Sequence, residues 1–181
     1  MLNFVDKVIL LDGGMGTMLQ KAGVPMGKVP EELNITHAEA VMDIHRQYIE
    51  AGSDIIYANT FSANRYKLHY SSYSVEELVT AGVKNAKAVT DAFERKVYVA
   101  LDVGPIGELM EPNGNLKFED AYDMFKEMMI AGEKAGADMP GSGLVCGAAG
   151  GWCHGRQCLA RESALHPGPA EYHQRHGGAS G

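Results

Sequence analysis

The first 138 residues of this 181-residue chain contain neither cysteine nor tryptophan; all three Cys and the single Trp lie in the last 43. A three-bridge disulfide framework is therefore excluded, and an acidic, Cys-free body reads as cytoplasmic. No run of about 18 apolar residues exists, so no membrane partner is expected. The opening Met1-Leu2-Asn3-Phe4-Val5-Asp6-Lys7 lacks the basic stretch leading into a long apolar one that a secretory signal needs. There is no basic stripe, and the formal net charge is -7. Binding to nucleic acid requires a clustered basic surface, so that partner class is also set aside. A hydrophobic content of 45% is enough for one domain with a real core.

Residues 1–138 read as strand and helix in alternation. Val8-Ile9-Leu10-Leu11 is an apolar run closed by Asp12-Gly13-Gly14, which predicts a strand ending in a turn. Thr36-His37-Ala38-Glu39 has the spacing of a capping box, and Val41, Ile44, Tyr48 and Ala51 then recur on one helical face until Gly52. His37 and His45 on this helix are expected at the surface. Ile55-Ile56-Tyr57-Ala58-Asn59-Thr60 reads as a buried parallel strand. Ser74-Val75-Glu76-Glu77 offers a second capping box, followed by a stripe of Leu78, Gly82, Ala86, Val89 and Phe93. Val97-Tyr98-Val99-Ala100-Leu101 is the next strand. Phe118, Tyr122, Phe125 and Met129 mark a third helix ending at Gly136, with Met124, Met128 and Met129 assigned to core packing. Strand ends near Asp12, Thr60 and Asp102 give a repeat of roughly 45 residues, which implies an α/β sheet of parallel strands. An open sheet and a closed (β/α)8 barrel both fit that repeat.

The junction Ala51-Gly52-Ser53-Asp54 recurs as Ala135-Gly136-Ala137-Asp138, but Met139-Pro140-Gly141-Ser142-Gly143 follows the second copy. Pro removes a ladder donor and glycine weakens an extended segment, so the strand is expected to fail at once. Residues 139–181 also lack Lys, Asp, Asn, Ile, Thr and Phe, while Gly, Arg, Cys and His rise. We therefore divide the chain into a body, 1–138, and an atypical irregular tail, 139–181, which a frameshift, a misassembled junction or a fused reading frame would explain.

Chemistry gathers at the carboxyl ends of the strands. Asp12-Gly13-Gly14-Met15-Gly16-Thr17, Asn59-Thr60-Phe61-Ser62-Ala63-Asn64 and Asp102-Val103-Gly104-Pro105 all fall on one face in either architecture. Two readings stand: Asp12 and Asp102 cap turns that glycine permits, or they belong to a site. The glycine loop lacks the third glycine of a dinucleotide fingerprint, and no Gly-Lys-Ser/Thr follows. A carboxylate at its mouth repels phosphate but suits an ammonium group, and backbone N–H groups beside it suit a carboxylate. Together these describe a site for an α-amino acid. An aromatic loop of Tyr66, His69, Tyr70 and Tyr73 either covers that pocket or packs on the preceding helix.

Leu11-Asp12-Gly13-Gly14-Met15-Gly16-Thr17-Met18-Leu19-Gln20, Pro30-Glu31-Glu32-Leu33-Asn34 and the stretch from Ala51 to Leu68 resemble the homocysteine-binding domain of cobalamin-dependent methionine synthase. The resemblance, to the homocysteine S-methyltransferase family, covers nearly all of residues 5–138. It implies a (β/α)8 barrel in which zinc, held by three cysteine thiolates, binds the homocysteine sulfur and makes it a nucleophile for an activated methyl group. In the methionine synthase branch, cobalamin carries that methyl. Carried over by position, Asp12 binds the homocysteine amino group, Gly13 helps hold its carboxylate, and Thr60, Phe61 and Ser62 line the pocket. Asp102 lies on the same face.

The resemblance also implies zinc cysteines in the second half of the barrel and a glutamate on the fourth strand, neither of which the body contains. Cys146, Cys153 and Cys158 do not have the spacing of a compact zinc site. The expectation is therefore the first three to four βα units of a barrel, incomplete and catalytically incompetent, with association through open sheet edges. The competing reading is a non-catalytic α/β binding or assembly fragment.

Overall fold

The computed structural model describes residues 8–141. Expectations about the tail cysteines and about how the tail packs lie outside the described residues. Three parallel strands, β1 (Ile55–Tyr57), β2 (Tyr98–Asp102) and β3 (Met139–Gly141), form a sheet in the order β1-β2-β3. Ile55 pairs with Tyr98 and Ala100 with Met139. Five α-helices accompany them: α1 (Met15–Lys21), α2 (Leu33–Thr36), α3 (Ala38–Glu50), α4 (Val75–Thr90) and α5 (Phe118–Ala135). Short 3-10 turns occupy Pro30–Glu32 and Lys67–Tyr70. None of the described helices is long and apolar enough to cross a membrane.

The main core lies between the sheet and α4. Leu78, Val79, Val83, Ala86 and Val89 of α4 pack with Ile56, Val99 and Leu101. The predicted capping box is present: the Glu77 N–H donates to Ser74 Oγ, and the Ser74 N–H donates to Glu77 Oε2 at 2.8 Å. Gly82 lets α4 approach the end of β1, because a Cβ there would stand 2.8 Å from Asn34 Nδ2 and 3.0 Å from Thr60 Cγ2.

Several sequence expectations are corrected. Residues 8–11 make only a single parallel bridge, Leu11 to Ile55, rather than a strand. Val8 and Leu10 are exposed, and among the described residues no second strand pairs on their outer side to hold them extended. The Thr36 capping box is absent; its hydroxyl donates back to the Glu32 carbonyl at 3.0 Å, and His37 occupies the start of α3 without a side-chain cap. His45 is fully buried, not superficial. It stands four residues after Val41 and four before Ile49, so helical periodicity carries it inward with them.

The phase of α5 also differs. Phe118 (66% exposed) and Tyr122 (57%) face outward, and Met129 is exposed too, while Ala121, Met128, Ala131 and Gly132 are buried. Small residues win the inner face because α5 lies hard against the sheet: a Cβ on Gly132 would fall 2.6 Å from Leu101 Cδ2.

The strand after Asp138 does form. Pro140 can give no ladder hydrogen bond, but Asp138 N–H donates to the Val99 carbonyl at 2.8 Å and Gly141 accepts from Val103 N–H at 2.9 Å, holding the segment on either side of it. Asp138 Oδ2 also accepts the Val99 N–H at 2.8 Å. The first junction repeats this pattern: Asp54 N–H donates to the Leu10 carbonyl at 2.7 Å, and Leu10 N–H donates to Asp54 Oδ2 at 3.1 Å. Both junctions turn on a left-handed glycine, Gly52 at φ +108° and Gly136 at φ +94°.

Candidate functional site

The bridge at Leu11 places Asp12 beside the end of β1, where the Tyr57 N–H donates to Asp12 Oδ2 at 2.9 Å. Burial raises the Asp12 pKa from its ordinary 3.8 to about 8, against the lowering by that hydrogen bond, and the nearby charge of Asp102 raises it further. The same two carboxylates act on Tyr57, whose pKa is raised first by burial, then by Asp102 and Asp12. Tyr48 on α3 is raised likewise by burial and by Asp12. Two carboxyl groups, Asp12 after the Leu11 bridge and Asp102 at the end of β2, thus converge on the end of β1.

Thr60 fastens those ends together. Its hydroxyl donates to the Asp102 carbonyl at 2.9 Å and accepts the Asp102 N–H at 3.1 Å. With no exposure, Thr60 acts on the backbone rather than as an open pocket wall. Phe61 is partly exposed, and its carbonyl accepts the Gly104 N–H at 3.0 Å. Gly104 has no room for a side chain, since an added Cβ would overlap the Phe61 carbonyl. Gly13 is exposed, and a Cβ on it would lie 2.8 Å from the Tyr48 hydroxyl. Asp12, Gly13, Thr60, Phe61, Ser62 and Asp102 therefore lie on one rim, as the sequence pattern requires of strand ends.

The residues that sequence reading missed lie beneath that rim. Glu31 is almost fully buried and accepts the Ser62 N–H on Oε1 at 2.6 Å. Burial raises its pKa, while the Ser62 N–H and the charge of Lys67 pull the other way. Asn34 donates to the carbonyls of Asn59 at 2.7 Å and Leu78 at 3.2 Å, and Asn59 Nδ2 donates to Asn34 Oδ1 at 3.0 Å. These buried bonds lock the Pro30-Glu31-Glu32-Leu33-Asn34 segment to the loop after β1, so the loop enters the site already ordered. Pro30 marks the start of a helical turn, but polar residues after it read equally as a solvated face, so their burial had no local signal.

Among the described residues no group of three His, Cys, Asp or Glu side chains could hold a metal ion. The described residues thus do not fit a zinc centre, and no chemical step is routed through one. What they can do is hold a cationic group against carboxylates at the strand ends.

The sequence profile of the homocysteine S-methyltransferase family matches residues 9–141. Methionine synthase of Mycobacterium tuberculosis (strain ATCC 25618 / H37Rv) is 31% identical over 144 residues, and that of Mycobacterium leprae (strain TN) is 30% identical over 144. Each match takes in 74% of this chain but only 12% of the relative. Among solved structures, the metallated form of the homocysteine methyltransferase MmuM from Escherichia coli superimposes with a TM-score of 0.67 at 20% identity. That similarity covers 76% of this chain and 54% of MmuM. The apo form of MmuM gives 0.57 at 21% identity, over 74% and 47%. The chain thus spans about half the length of the solved relative and a small part of the curated ones.

Proposed function

The chain belongs to the homocysteine S-methyltransferase family, and we propose that residues 8–141 are the opening units of a (β/α)8 barrel whose rim holds the amino-acid end of homocysteine. Asp12 takes the ammonium group, the backbone at Gly13 faces the carboxylate, and Phe61 and Ser62 border the pocket that Thr60 and Glu31 keep in shape. Asp102 strengthens the field that draws the cation. The observation that carries this reading is the half-buried Asp12 carboxyl at the end of β1, bound to the Tyr57 N–H, with its pKa raised to about 8 and no cation beside it among the described residues. Such a group is stabilised as a carboxylate only when a cation arrives.

Methyl transfer itself needs the homocysteine sulfur activated as a thiolate, and zinc supplies that chemistry in the reading taken from the family resemblance. The described residues contain no ligand set for it. We therefore assign this portion to substrate holding, without catalysis of its own, and leave residues 139–181 out of the barrel apart from β3. A methyl carrier such as cobalamin and a cytoplasmic setting belong to the same proposal. The second reading, an assembly fragment, is favoured by the exposed Phe118, Tyr122 and Ile130 of α5 and by the place of β3 at the edge of the sheet among the described residues.

Calorimetric titration with L-homocysteine and L-homoserine, with and without zinc, tests the assignment. Comparable zinc-independent binding of both, lost in Asp12→Asn, is the expected result. No binding of either would leave the assembly reading in place. Binding that demands both zinc and the thiol would mean that a metal centre forms from residues beyond those described.

A further inference from the structure

Next to the rim, on the side of the Lys67–Tyr70 turn, lies a cleft of about 380 Å³ lined among others by Lys28, Ser62, Lys67, His69 and Tyr70. Two lysines converge there on a chain whose formal charge is -7. Neither makes an ion pair with a carboxylate among the described residues, whose five pairs use other cations. Each is instead held over a ring: Lys28 Nζ stands 4.4 Å from the centroid of Tyr70, and Lys67 Nζ 5.4 Å from that of Phe61. His69 packs against Tyr70 with ring centroids 3.6 Å apart, and its Nδ1 lies 2.7 Å from the Tyr66 carbonyl oxygen. That oxygen can only accept, so Nδ1 carries the proton and the ring is fixed in place.

The nearby carboxyl groups are already engaged. Glu108 accepts a hydrogen bond from the Tyr66 hydroxyl at 2.8 Å. Glu31 lies behind the cleft, bound to the Ser62 N–H, and burial favours its protonated form. The cleft is concave, carries two lysines and is walled by Tyr70 and His69, whose rings meet at a tilt of 43°. Lys28 is exposed and Lys67 half-buried; each stands over an aromatic face and outside the ion pairs of the described residues, an arrangement that suits an anion that also offers a flat surface.

We propose that this cleft is a second ligand site, taking a small aromatic anion: a carboxylate or phosphate group between Lys28 and Lys67, with its ring against Tyr70 and His69. The site borders the rim at Ser62 and Phe61 but does not use Asp12, and it stands whether or not the rim binds homocysteine.

Titration of the full chain with benzoate, phenyl phosphate, acetate and inorganic phosphate, followed through the backbone amide shifts of Lys28, Ser62, Lys67 and Tyr70, tests this. Benzoate or phenyl phosphate should give saturable shifts confined to these residues, and whichever binds tighter identifies the anionic group. Acetate and inorganic phosphate should bind about ten-fold more weakly, for want of a ring. A Lys28→Gln/Lys67→Gln double variant should weaken the aromatic anion by about ten-fold or more, while the double Arg variant and Asp12→Asn keep it. The proposal is overturned if no saturable local shifts occur, if acetate matches benzoate, or if the double Gln variant binds as well as the parent. Because both lysine side chains lie at the surface of a cleft, these variants are expected to fold; unchanged amide spectra elsewhere verify it.

Discussion

At the end of the sheet where strands begin, Asp54 and Asp138 each accept a backbone N–H from the neighbouring strand position and lie near a cation, Arg95 at 4.0 Å and Lys87 at 2.7 Å. At the end where strands finish, Asp12 also accepts a backbone N–H but has no cation beside it among the described residues. The electrostatic outcomes are opposite. Burial raises Asp138, yet the Lys87 hydrogen bond and the Val99 N–H outweigh it and hold the carboxyl below its ordinary range. Asp12 is driven up to about 8. One residue type thus stabilises the fold at one end and costs stability at the other, which is the pattern expected where a site is kept ready for a ligand.

The largest test of this contrast is Asp12→Asn. Unfolded Asp12 ionises above its ordinary 3.8, whereas the folded protein holds the proton up to about 8. The native state therefore binds more protons across that window, and stability falls as pH rises through it. The amide keeps an acceptor for the Tyr57 N–H without that penalty. Denaturant melts at pH 7 should show Asp12→Asn more stable by on the order of 3 kcal/mol, with the gain fading by about pH 4. A loss of stability at neutral pH would mean that Asp12 is a structural clamp like Asp138.

A buried histidine imposes a slope of the other sign and has to be separated out. Burial lowers the His45 pKa from 6.5 to about 4, and neither ring nitrogen has a hydrogen-bond partner among the described residues. Unfolded His45 takes up a proton below 6.5 while the folded one resists until about 4. Acidification across that window should therefore cost on the order of 2–3 kcal/mol. His45→Leu should flatten this loss and be at least as stable as the parent at pH 7.5, where an unpartnered buried ring is replaced by an apolar one. Melts of the variant that still weaken between pH 6.5 and 4 would assign the acid sensitivity to another group.

Asp138→Asn acts in the opposite direction to Asp12→Asn. Its depressed pKa contributes stability above 3.8 that disappears as pH falls through the folded value. The group is partly solvated, so screening limits the effect to about 1 kcal/mol at pH 6, closing toward pH 3. Equal melts of parent and variant at pH 6 would remove Asp138 from the stabilising end of the comparison.

Much of this contrast is legible in the amino-acid sequence. The repeated Ala-Gly-x-Asp junction, the helix stripe on α4 and the rim residues Asp12, Gly13, Thr60, Phe61, Ser62 and Asp102 follow from periodicity and from the rule that strand ends share a face. What escaped was tertiary. Phe118 and Tyr122 look like a buried stripe because they are apolar at helical spacing, yet the face of α5 that turns inward is that of Ala121, Met128, Ala131 and Gly132, with Gly132 where the helix comes closest to the sheet. His45 and Glu31 are polar, and nothing local announces that neighbours on all sides will bury them. Met139-Pro140-Gly141 reads as a poor strand by composition, but the clamp at Asp138 and the Gly141 carbonyl hold it against β2. Propensity yields there to pairing with a strand already in place.

That last point gives the smallest and sharpest test, Gly52→Ala against Gly136→Ala. Both glycines are left-handed, and an added Cβ at Gly136 meets nothing within 4 Å, while at Gly52 it meets only Leu10 Cδ1 at an ordinary 3.8 Å. The cost in each case is the backbone alone, about 1 kcal/mol. If the two junctions are equivalent parts of one cooperative sheet, the variants should lose the same stability within about 0.5 kcal/mol in global denaturant melts. A much smaller loss for Gly136→Ala would mean that β3 opens on its own before the rest unfolds. Amide hydrogen exchange distinguishes the two. Val103 donates to the Gly141 carbonyl and Asp138 to that of Val99, so protection of both amides equal to that of Ala58 between β1 and β2 would mark β3 as a full member of the sheet. Early exchange would make it a fraying edge, and the repeated junction would then be a clamp at its first copy only.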